Sequence, residues 1–392
     1  MKYDFDKIID RSGSGDLKHE ALLPRWGRKD LLPLWVADMD FETPAFITDA
    51  IKARLEHSLF GYTVEPEDFL PSIMDWVRDH HQWDVKREWI RFIPGIVKGI
   101  GMVINVFTKE DEKVIIQPPV YHPFRLTPEG NGREVVFNPL KMREDGYYEM
   151  DFEQLEKVCD EKCKVFILCN PHNPGGITWD RETLQRLADF CYEHHLIVIS
   201  DAIHADMAIF GHKHIPFASV SEKAREISIT FQAPSKTFNI AGIVSSYSII
   251  PNEDIRRKFY GWLSANELDE PTIFSPIATI AAFRHGEEYR QQMLAYIEEN
   301  IRFVEDFCRE HIPGIRPLRP QASFLVWLNC RDLHLNHEQL LDLFIDKAHL
   351  ALNDGEMFGP GGEGFMRLNV ASPRMIIRQA LEQLAEAVGN LS

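Results

Sequence analysis

The chain has 392 residues, long enough for about two or three domains with large buried cores. It carries 43 Lys and Arg against 60 Asp and Glu, for a formal net charge of −17. An acidic surface of that size repels phosphate backbones and argues against nucleic-acid binding. A composition of 44% hydrophobic and 26% charged residues is typical of globular proteins and excludes disordered, collagen-like and coiled-coil chains.

The sequence shows no targeting or membrane signal. Residues 1–20 scatter their charges and contain no continuous apolar stretch of the kind found in signal peptides. No apolar run approaches the ~20 residues of a membrane span. Six cysteines without a CxxC pair are too few for a disulfide scaffold of this length. We therefore expect a cytoplasmic protein with reduced cysteines and no membrane partner.

The predicted elements begin with an irregular arm over residues 1–42. The arm holds a flexible Ser-Gly-Ser-Gly run at 12–15 and an apolar patch over 31–39, and arms of this kind often pack on a neighbour. A helix is predicted to follow, with Thr43 as its N-cap and Pro44 at its first position.

Short β-rich runs then alternate with helical segments. This alternation predicts an α/β domain over residues 43–285, with a mostly parallel sheet sandwiched by helices. Ligands of such sheets bind at the carboxyl ends of the strands. The predicted strands are Trp89–Ile93, Lys113–Gln117, Cys163–Cys169, Leu196–Ser200, Glu226–Phe231 and Ser245–Ile250, and Arg181–His194 is a predicted helix.

The pattern changes after residue 285 to a long amphipathic helix over Glu287–His311. Residues 286–392 are predicted to form a smaller C-terminal α+β domain. Its further elements are a strand (Ala322–Leu328), a helix (His337–Lys347), a strand (Phe365–Val370) and a helix from Pro373.

Four segments place polar groups next to predicted strands. Gly95 begins a turn into an apolar helix, whose first N–H groups suit an anion, although such turns are common. Two Asn-Pro turns make a stiff loop that fixes the position of Asn173. The same pattern is equally consistent with an Asx turn that has no functional role. Asp201 ends a buried strand, where a carboxylate is costly without a cationic or proton-bearing partner. Lys236 follows another strand, and a desolvated lysine becomes an amine nucleophile, whereas an isolated lysine is usually a solvated surface charge.

Histidines offer an alternative site of a different class. His212 and His214 form an HxH turn, and His194 and His195 are adjacent. Because the turn has no carboxylate or cysteine beside it in sequence, we expect no metal.

Together these segments resemble fold-type I pyridoxal-phosphate enzymes of the aspartate aminotransferase superfamily (class I/II aminotransferase-like) over nearly the whole chain. The resemblance rests on NPHNPGG (170–176), the strand-terminal Asp201 with His204 after it, SKTFN (235–239) and MRLNVASP (366–373). Within that superfamily, WVADMDF (35–41), GHKHIPFAS (211–219), SKTFNIAG (235–242) and RLNVASPR (367–374) are similar to the MalY/PatB branch of C–S β-lyases, which includes cystathionine β-lyases. The resemblance to this superfamily implies the PLP-dependent transferase-like fold.

The resemblance implies a role for each motif residue around pyridoxal 5′-phosphate. Lys236 would be the Schiff-base lysine and would shuttle the substrate Cα proton. Asp201 would pair with the pyridinium nitrogen and Asn173 with the ring O3′, and His204 stands where many aminotransferases have a tyrosine. The other implied cofactor-binding residues are Tyr121, stacked on the ring, and Ile96, Val97, Ser235 and Tyr62, at the phosphate.

The resemblance also implies a substrate site and a homodimer. Arg367 matches the arginine that binds the substrate α-carboxylate as a bidentate pair, and Asn173 and Ala37 would line the same site. Tyr62 would come from the neighbouring subunit. Three positions depart from the wider pattern: Ala233 and Val244 replace a phosphate-binding Ser and Arg, and Ala202 replaces an acidic residue common in the branch.

Three functions follow for comparison. The first is a β-lyase that cleaves sulfur-containing L-amino acids such as cystathionine or S-substituted cysteines to pyruvate, ammonia and a thiol. The second is a class I/II aminotransferase, which the cofactor residues do not distinguish from the first. The third is a regulatory protein with a vestigial cofactor, against which the full set of Lys236, Asp201, Asn173 and Arg367 argues.

Overall fold

The structure, a computed structural model, describes residues 3–391. Its α-helices are α1 (Leu17–Glu20), α2 (Leu22–Trp26), α3 (Ala45–Leu55), α4 (Phe69–His81), α5 (Ile96–Phe107), α6 (Pro123–Gly130), α7 (Phe152–Val158), α8 (Arg181–Glu193), α9 (Glu222–Ile227), α10 (Glu253–Ala265), α11 (Phe274–His285), α12 (Glu287–His311), α13 (His337–Asp342) and α14 (Arg374–Gly389). Its strands are β1 (Leu32–Pro33), β2 (Ile90–Ile93), β3 (Lys113–Ile116), β4 (Glu134–Phe137), β5 (Lys141–Met142), β6 (Tyr148–Glu149), β7 (Cys163–Cys169), β8 (Ile197–Asp201), β9 (Ser228–Gln232), β10 (Ser246–Ile249), β11 (Arg316–Leu318), β12 (Leu325–Asn329), β13 (Leu350–Ala351), β14 (Asn353–Asp354) and β15 (Phe365–Asn369).

A seven-stranded sheet in the order β2-β10-β9-β8-β7-β3-β4 forms the centre of the fold. The five strands from β9 to β4 run parallel, whereas β10 pairs antiparallel with both β2 and β9. Strands β7, β8 and β9 are buried along almost their whole length, as expected where helices cover both faces. The predicted mostly parallel sheet with flanking helices is confirmed.

Helix α5 packs closely on this sheet through Gly99. A Cβ at that position would lie 2.8 Å from the Ile93 side chain and 3.0 Å from that of Phe231. Both distances are shorter than a normal carbon contact, so glycine is the residue that lets the helix approach β2 and β9. The close approach brings the first turn of α5 to the carboxyl edge of the sheet.

Two local predictions are corrected by the structure. Helix α3 begins at Ala45 and Pro44 takes the extended conformation of the cap, because the Thr43 hydroxyl donates to the Asn239 carbonyl at 3.0 Å instead of capping the helix. Strand β4 has no counterpart among the predicted strands. It forms the edge of the sheet with only partly buried side chains, which gives a weak sequence signal.

The C-terminal part of the chain builds a second, four-stranded antiparallel sheet in the order β11-β12-β15-β14. The long helix α12 spans the predicted residues, and a π-helical turn over Leu343–Lys347 continues α13. The division of the chain into an arm (1–42), a large domain (43–285) and a small domain (286–392) stays a prediction.

The arm packs on the C-terminal part of its own chain. Strand β1 pairs in parallel with β13, joining Leu32 to Leu350. The side chains of Leu34, Trp35 and Met39 are buried. The apolar patch at 31–39 is therefore covered within the chain rather than by a neighbour. Within residues 3–391, no helix is both long and apolar enough to cross a membrane.

Candidate active site

Three candidate residues lie at the carboxyl ends of neighbouring parallel strands. Asp201 is the last residue of β8, Asn173 lies in the loop after β7, and Lys236 lies in the turns after β9. The register pairs Cys169 with Asp201 and Asp201 with Phe231, so the three strands end at one edge. This is the edge at which parallel sheets bind ligands.

Asp201 is a buried carboxylate with 5% of its surface exposed. Its Oδ1 accepts a hydrogen bond from the backbone N–H of Ile203 at 3.0 Å. Burial raises the pKa of Asp201 to about 6, although that hydrogen bond and the charge of Lys236 both oppose the rise. The group is suited to a partner that brings a proton or a positive charge.

Lys236 presents a half-buried amine at the same edge of the sheet. Its Nζ donates a 2.6 Å hydrogen bond to the backbone carbonyl of Ala37. Burial, followed by repulsion from Arg367, lowers the pKa of Lys236 to about 8, while Asp38 and Asp201 act in the opposite direction. A larger fraction of the amine is therefore neutral near physiological pH than in an ordinary lysine, and the neutral form is the one that attacks a carbonyl.

Arg367 connects the second sheet to this edge. It lies on β15, and its side chain is almost fully buried. Its Nη1 donates to Asn173 Oδ1 at 3.1 Å and its Nη2 to the Trp35 carbonyl at 2.9 Å. The Nε has no hydrogen-bond partner among the described residues, and the guanidinium carbon lies 5.0 Å from the centroid of the Phe358 ring. A buried guanidinium with an unused donor is suited to a carboxylate ligand.

The first turn of α5 offers a site for an anion. Gly95 caps this helix with φ of 121°, a backbone conformation that favours glycine. The N–H groups of Ile96 and Val97 are among the first of the helix, which lack intrahelical partners. The buried Ser235 follows β9, directly before Lys236. This arrangement of donors suits a phosphate group.

Tyr121 and His204 lie near these groups. The backbone N–H of Tyr121 donates to the Asn173 carbonyl at 3.1 Å, and burial raises the pKa of the Tyr121 phenol. His204 is buried, and its Nδ1 has no hydrogen-bond partner in the described part of the chain. Burial lowers the pKa of His204 to about 3, so the ring is neutral. An unpaired ring nitrogen at this edge is available to a ligand.

Tyr62 is the one predicted site residue that lies apart from the others. Its side chain is fully exposed on residues 57–66, the irregular segment between α3 and α4. With Phe60 and Val64 it lines a surface groove of about 1310 Å³. Within one chain it therefore does not join the candidate site.

Two asparagines that the sequence did not single out as functional hold residues 35–41 against the site. Asn239 Nδ2 donates to the carbonyls of Met39 at 2.8 Å and Phe41 at 2.9 Å. Asn369 Nδ2 donates to the carbonyls of Val36 and Asp38, both at 2.6 Å. Both asparagines belong to motifs quoted above, but their partners are distant in sequence and no local pattern reveals the pairing.

Comparison with known proteins gives the family. The family model described as aminotransferase class I and II matches residues 29–384. The chain belongs to this family. It is 41% identical to cystathionine beta-lyase PatB of Bacillus subtilis, covering 98% of this chain and 99% of that protein. It is 31% identical to protein MalY of Escherichia coli, with 98% and 99% covered.

Among solved structures, the crystal structure of cystalysin from Treponema denticola, which contains a pyridoxal 5′-phosphate cofactor, superposes with a TM-score of 0.96. The two chains are 34% identical and each is covered completely. Membership of the family thus agrees with the transferase-like fold described above.

The candidate site fits pyridoxal 5′-phosphate on its own chemistry. Lys236 offers a partly neutral amine for the aldehyde, and Asp201 offers a buried carboxylate for the ring nitrogen. The unpaired Nδ1 of His204 and the first N–H groups of α5 offer polar partners for the ring and the phosphate. Among the described residues, no group of three or more His, Cys, Asp and Glu side chains could hold a metal ion.

Proposed function

We propose that this protein is a pyridoxal-phosphate-dependent C–S β-lyase of the cystathionine β-lyase type. It cleaves the Cβ–S bond of an L-amino acid and, with one water, yields pyruvate, ammonia and a thiol. The observation that carries this proposal is the end-to-end match, at 41% identity, to a cystathionine beta-lyase. The half-buried amine and the buried carboxylate and guanidinium at the sheet edge provide the chemistry that this reaction needs.

The roles of the residues follow from their positions. Lys236 anchors the cofactor through Nζ and then, as a neutral amine, removes the proton from the substrate Cα. When bound, pyridoxal phosphate supplies the electron sink for the negative charge at that carbon. Asp201 would favour a protonated ring nitrogen, because a proton there would stabilise the buried carboxylate charge. Arg367 binds the substrate carboxylate, with Asn173 and the Ala37 backbone beside it.

The remaining residues hold the cofactor in place. The N–H groups of Ile96 and Val97 and the hydroxyl of Ser235 bind the phosphate. Tyr121 would pack against the ring, and His204 and Asn173 would offer polar groups to it. Ala233 and Val244 supply no phosphate ligand, so the backbone of α5 carries more of that binding than in many aminotransferases.

A homodimer completes the site in this proposal. The segment around Tyr62 exposes several large apolar side chains: Leu59 at 70%, Phe60 at 56%, Tyr62 at 105% and Val64 at 89% of their surface. A contiguous exposed patch of this kind marks an interaction surface. A second copy of the chain would cover it and receive Tyr62 at its phosphate. A cytoplasmic location is the other part of the proposal, and a nucleic-acid or membrane partner is not expected.

A product assay tests the proposed reaction. Purified yellow protein receives L-cystathionine or an S-substituted L-cysteine without any keto acid, and pyruvate, ammonia and thiol are followed together. Release of the three products in equal amounts over many turnovers supports the lyase. If nothing forms until a keto acid is added, and a new amino acid then appears, the protein is an aminotransferase.

The proposed homodimer is tested separately. Light scattering of the protein as it elutes from a size-exclusion column measures whether it is a dimer.

A further inference from the structure

One short segment contacts both cations of the candidate site. Residues 35–41, here called the active-site loop, present the Trp35 carbonyl to Arg367 Nη2 at 2.9 Å and the Ala37 carbonyl to Lys236 Nζ at 2.6 Å. Carbonyl oxygens have fixed positions relative to their backbone, so a shift of this loop changes both contacts together. The position of the loop is therefore part of the geometry of the site.

The two aspartates of the active-site loop are bound by two cations from the first 20 residues of the arm. The Arg11 guanidinium reaches both, with Nη2 at 2.8 Å from Asp38 Oδ2 and Nη1 at 2.8 Å from Asp40 Oδ1. Lys18 Nζ lies 2.7 Å from Asp40 Oδ2 and 3.7 Å from Asp38 Oδ1. The Ser372 hydroxyl also donates to Asp40 Oδ2.

This cluster is largely shielded from solvent, so the loss of one ion-pair partner would not be fully offset by water. The Lys18 side chain is fully buried, and those of Asp38 and Asp40 are 21% and 17% exposed. The neighbouring charges of Lys18 and Arg11 lower the pKa of Asp40 against the opposing effect of burial. Removing one cation would leave a carboxylate that is poorly solvated and less compensated, and such a group moves away from its position.

We propose that Arg11 and Lys18 are positioning residues of the active site. By binding Asp38 and Asp40 they place the Trp35 carbonyl on Arg367 and the Ala37 carbonyl on Lys236, and they balance the negative charge next to the lysine. The expected effect of these residues on substrate binding rests on the proposed function. Their expected effect on the pKa of Lys236 does not.

The charges around Lys236 predict that its pKa shifts in opposite directions when Arg11 and Asp38 are neutralised. The charged groups that act on Lys236 are Arg367, which lowers its pKa, and Asp38 and Asp201, which raise it. Loss of the Arg11 cation leaves the Asp38 charge less compensated, so the pKa of Lys236 rises. Neutralising Asp38 has the opposite effect, and its pKa falls.

The test compares Arg11→Gln and Asp38→Asn with Arg28→Gln in the full chain. Arg28 is a matched control because it also anchors the arm, through Asp346 at 2.9 Å, but makes no contact with the active-site loop. The pH dependence of Lys236 labelling by an amine reagent, located by peptide mass spectrometry, is measured in the cofactor-free protein. We expect the labelling midpoint to shift by about half a pH unit, upward in Arg11→Gln and downward in Asp38→Asn, with Arg28→Gln unchanged.

Kinetics provides the second measurement. In the loaded enzyme, Arg11→Gln is expected to raise KM about tenfold with a smaller change in kcat, because the misplaced loop disturbs Arg367. Arg11→Lys restores the charge but not the fork that spans two carboxylates, so it should restore the labelling midpoint while KM stays raised. Thermal unfolding of each variant identifies any that fails to fold.

The outcomes separate this inference from the proposed function. A wild-type protein that releases no pyruvate contradicts the proposed function, and the labelling midpoints still decide the inference. Midpoints of Arg11→Gln and Asp38→Asn that equal that of Arg28→Gln overturn the inference, as do shifts of both in the same direction. If Arg11→Gln does not fold, a downward shift in Asp38→Asn supports the inference and an unchanged midpoint overturns it.

Discussion

Lys236 Nζ donates a 2.6 Å hydrogen bond to the carbonyl of Ala37, a residue 199 positions earlier in the chain. This contact joins the turns after β9 to the arm, and the Trp35 carbonyl joins the same loop to Arg367. The two cations of the site are thus held by backbone oxygens of one segment. A substrate carboxylate or a cofactor aldehyde enters a site whose donors are already oriented.

Lys236→Ala should abolish turnover and the visible absorption band of the bound cofactor. The half-buried amine is the group proposed to anchor the aldehyde, and alanine has no nitrogen to replace it. Absorption spectra and pyruvate release measure the two effects. Lys213→Ala, at an exposed lysine outside the site, serves as the control and should retain both. A Lys236→Ala protein with the wild-type spectrum and rate would disprove the assignment.

Arg367→Ala should weaken substrate binding while leaving the spectrum of the bound cofactor nearly unchanged. Loss of a charge-assisted bidentate contact costs about 2 kcal/mol, which corresponds to about thirtyfold in KM. Steady-state kinetics measures KM, and Arg367→Lys should recover only part of the loss because its ammonium cannot pair in the same planar geometry. Loss of the cofactor band instead would show that Arg367 holds the cofactor.

Cofactor capture should depend on pH through Lys236. Only the neutral amine attacks the aldehyde, and the pKa of Lys236 is lowered to about 8. The rate at which the visible band appears in the cofactor-free protein should therefore rise with pH and level off above that value. Because Arg367 lowers this pKa, the midpoint should move upward in Arg367→Ala. A wild-type midpoint near that of an ordinary lysine would contradict the prediction.

Asp201→Asn should stabilise the cofactor-free chain at high pH and inactivate the enzyme. Burial raises the pKa of Asp201 to about 6, so the folded state holds its proton more tightly than the unfolded state does. The stability linked to that proton is fully present below the unfolded pKa of the group, near 4, and is lost as the pH rises through about 6. Asparagine has no proton to lose, so it removes this loss of stability, which is about 3 kcal/mol at pH 8.

Denaturant unfolding of both proteins at pH 4 and pH 8 measures this difference. The two should differ much less at pH 4, because Asp201 is then protonated in the folded chain and about half protonated in the unfolded chain, so most of the loss is absent. A constant difference at both pH values would show that the carboxylate does not carry the effect. The mutant should also release pyruvate far more slowly, because asparagine cannot hold a proton on the ring nitrogen by charge.

All strands of the central sheet except β4, and the segments that bear chemistry, were predictable from the sequence. Buried strands such as Cys163–Cys169 and the turn at Gly95 carry local signals, namely apolar runs and special backbone residues, that do not depend on distant contacts. The motif residues Lys236, Asp201 and Asn173 follow those strands, so their place at one edge was predictable. The edge strand β4 was not predicted, because its three apolar residues, 135–137, make a run shorter than that of a typical buried strand.

Only the tertiary structure decided how these segments meet. The contacts of Ala37 with Lys236, of Trp35 with Arg367, and of Arg11 with Asp38 join residues whose pairing leaves no local pattern. Likewise, the pKa of Asp201 depends on burial by the whole fold rather than on its neighbours in sequence. Short-range patterns encode strands and turns. The contacts and the charge balance of the site come from packing between distant parts of the chain.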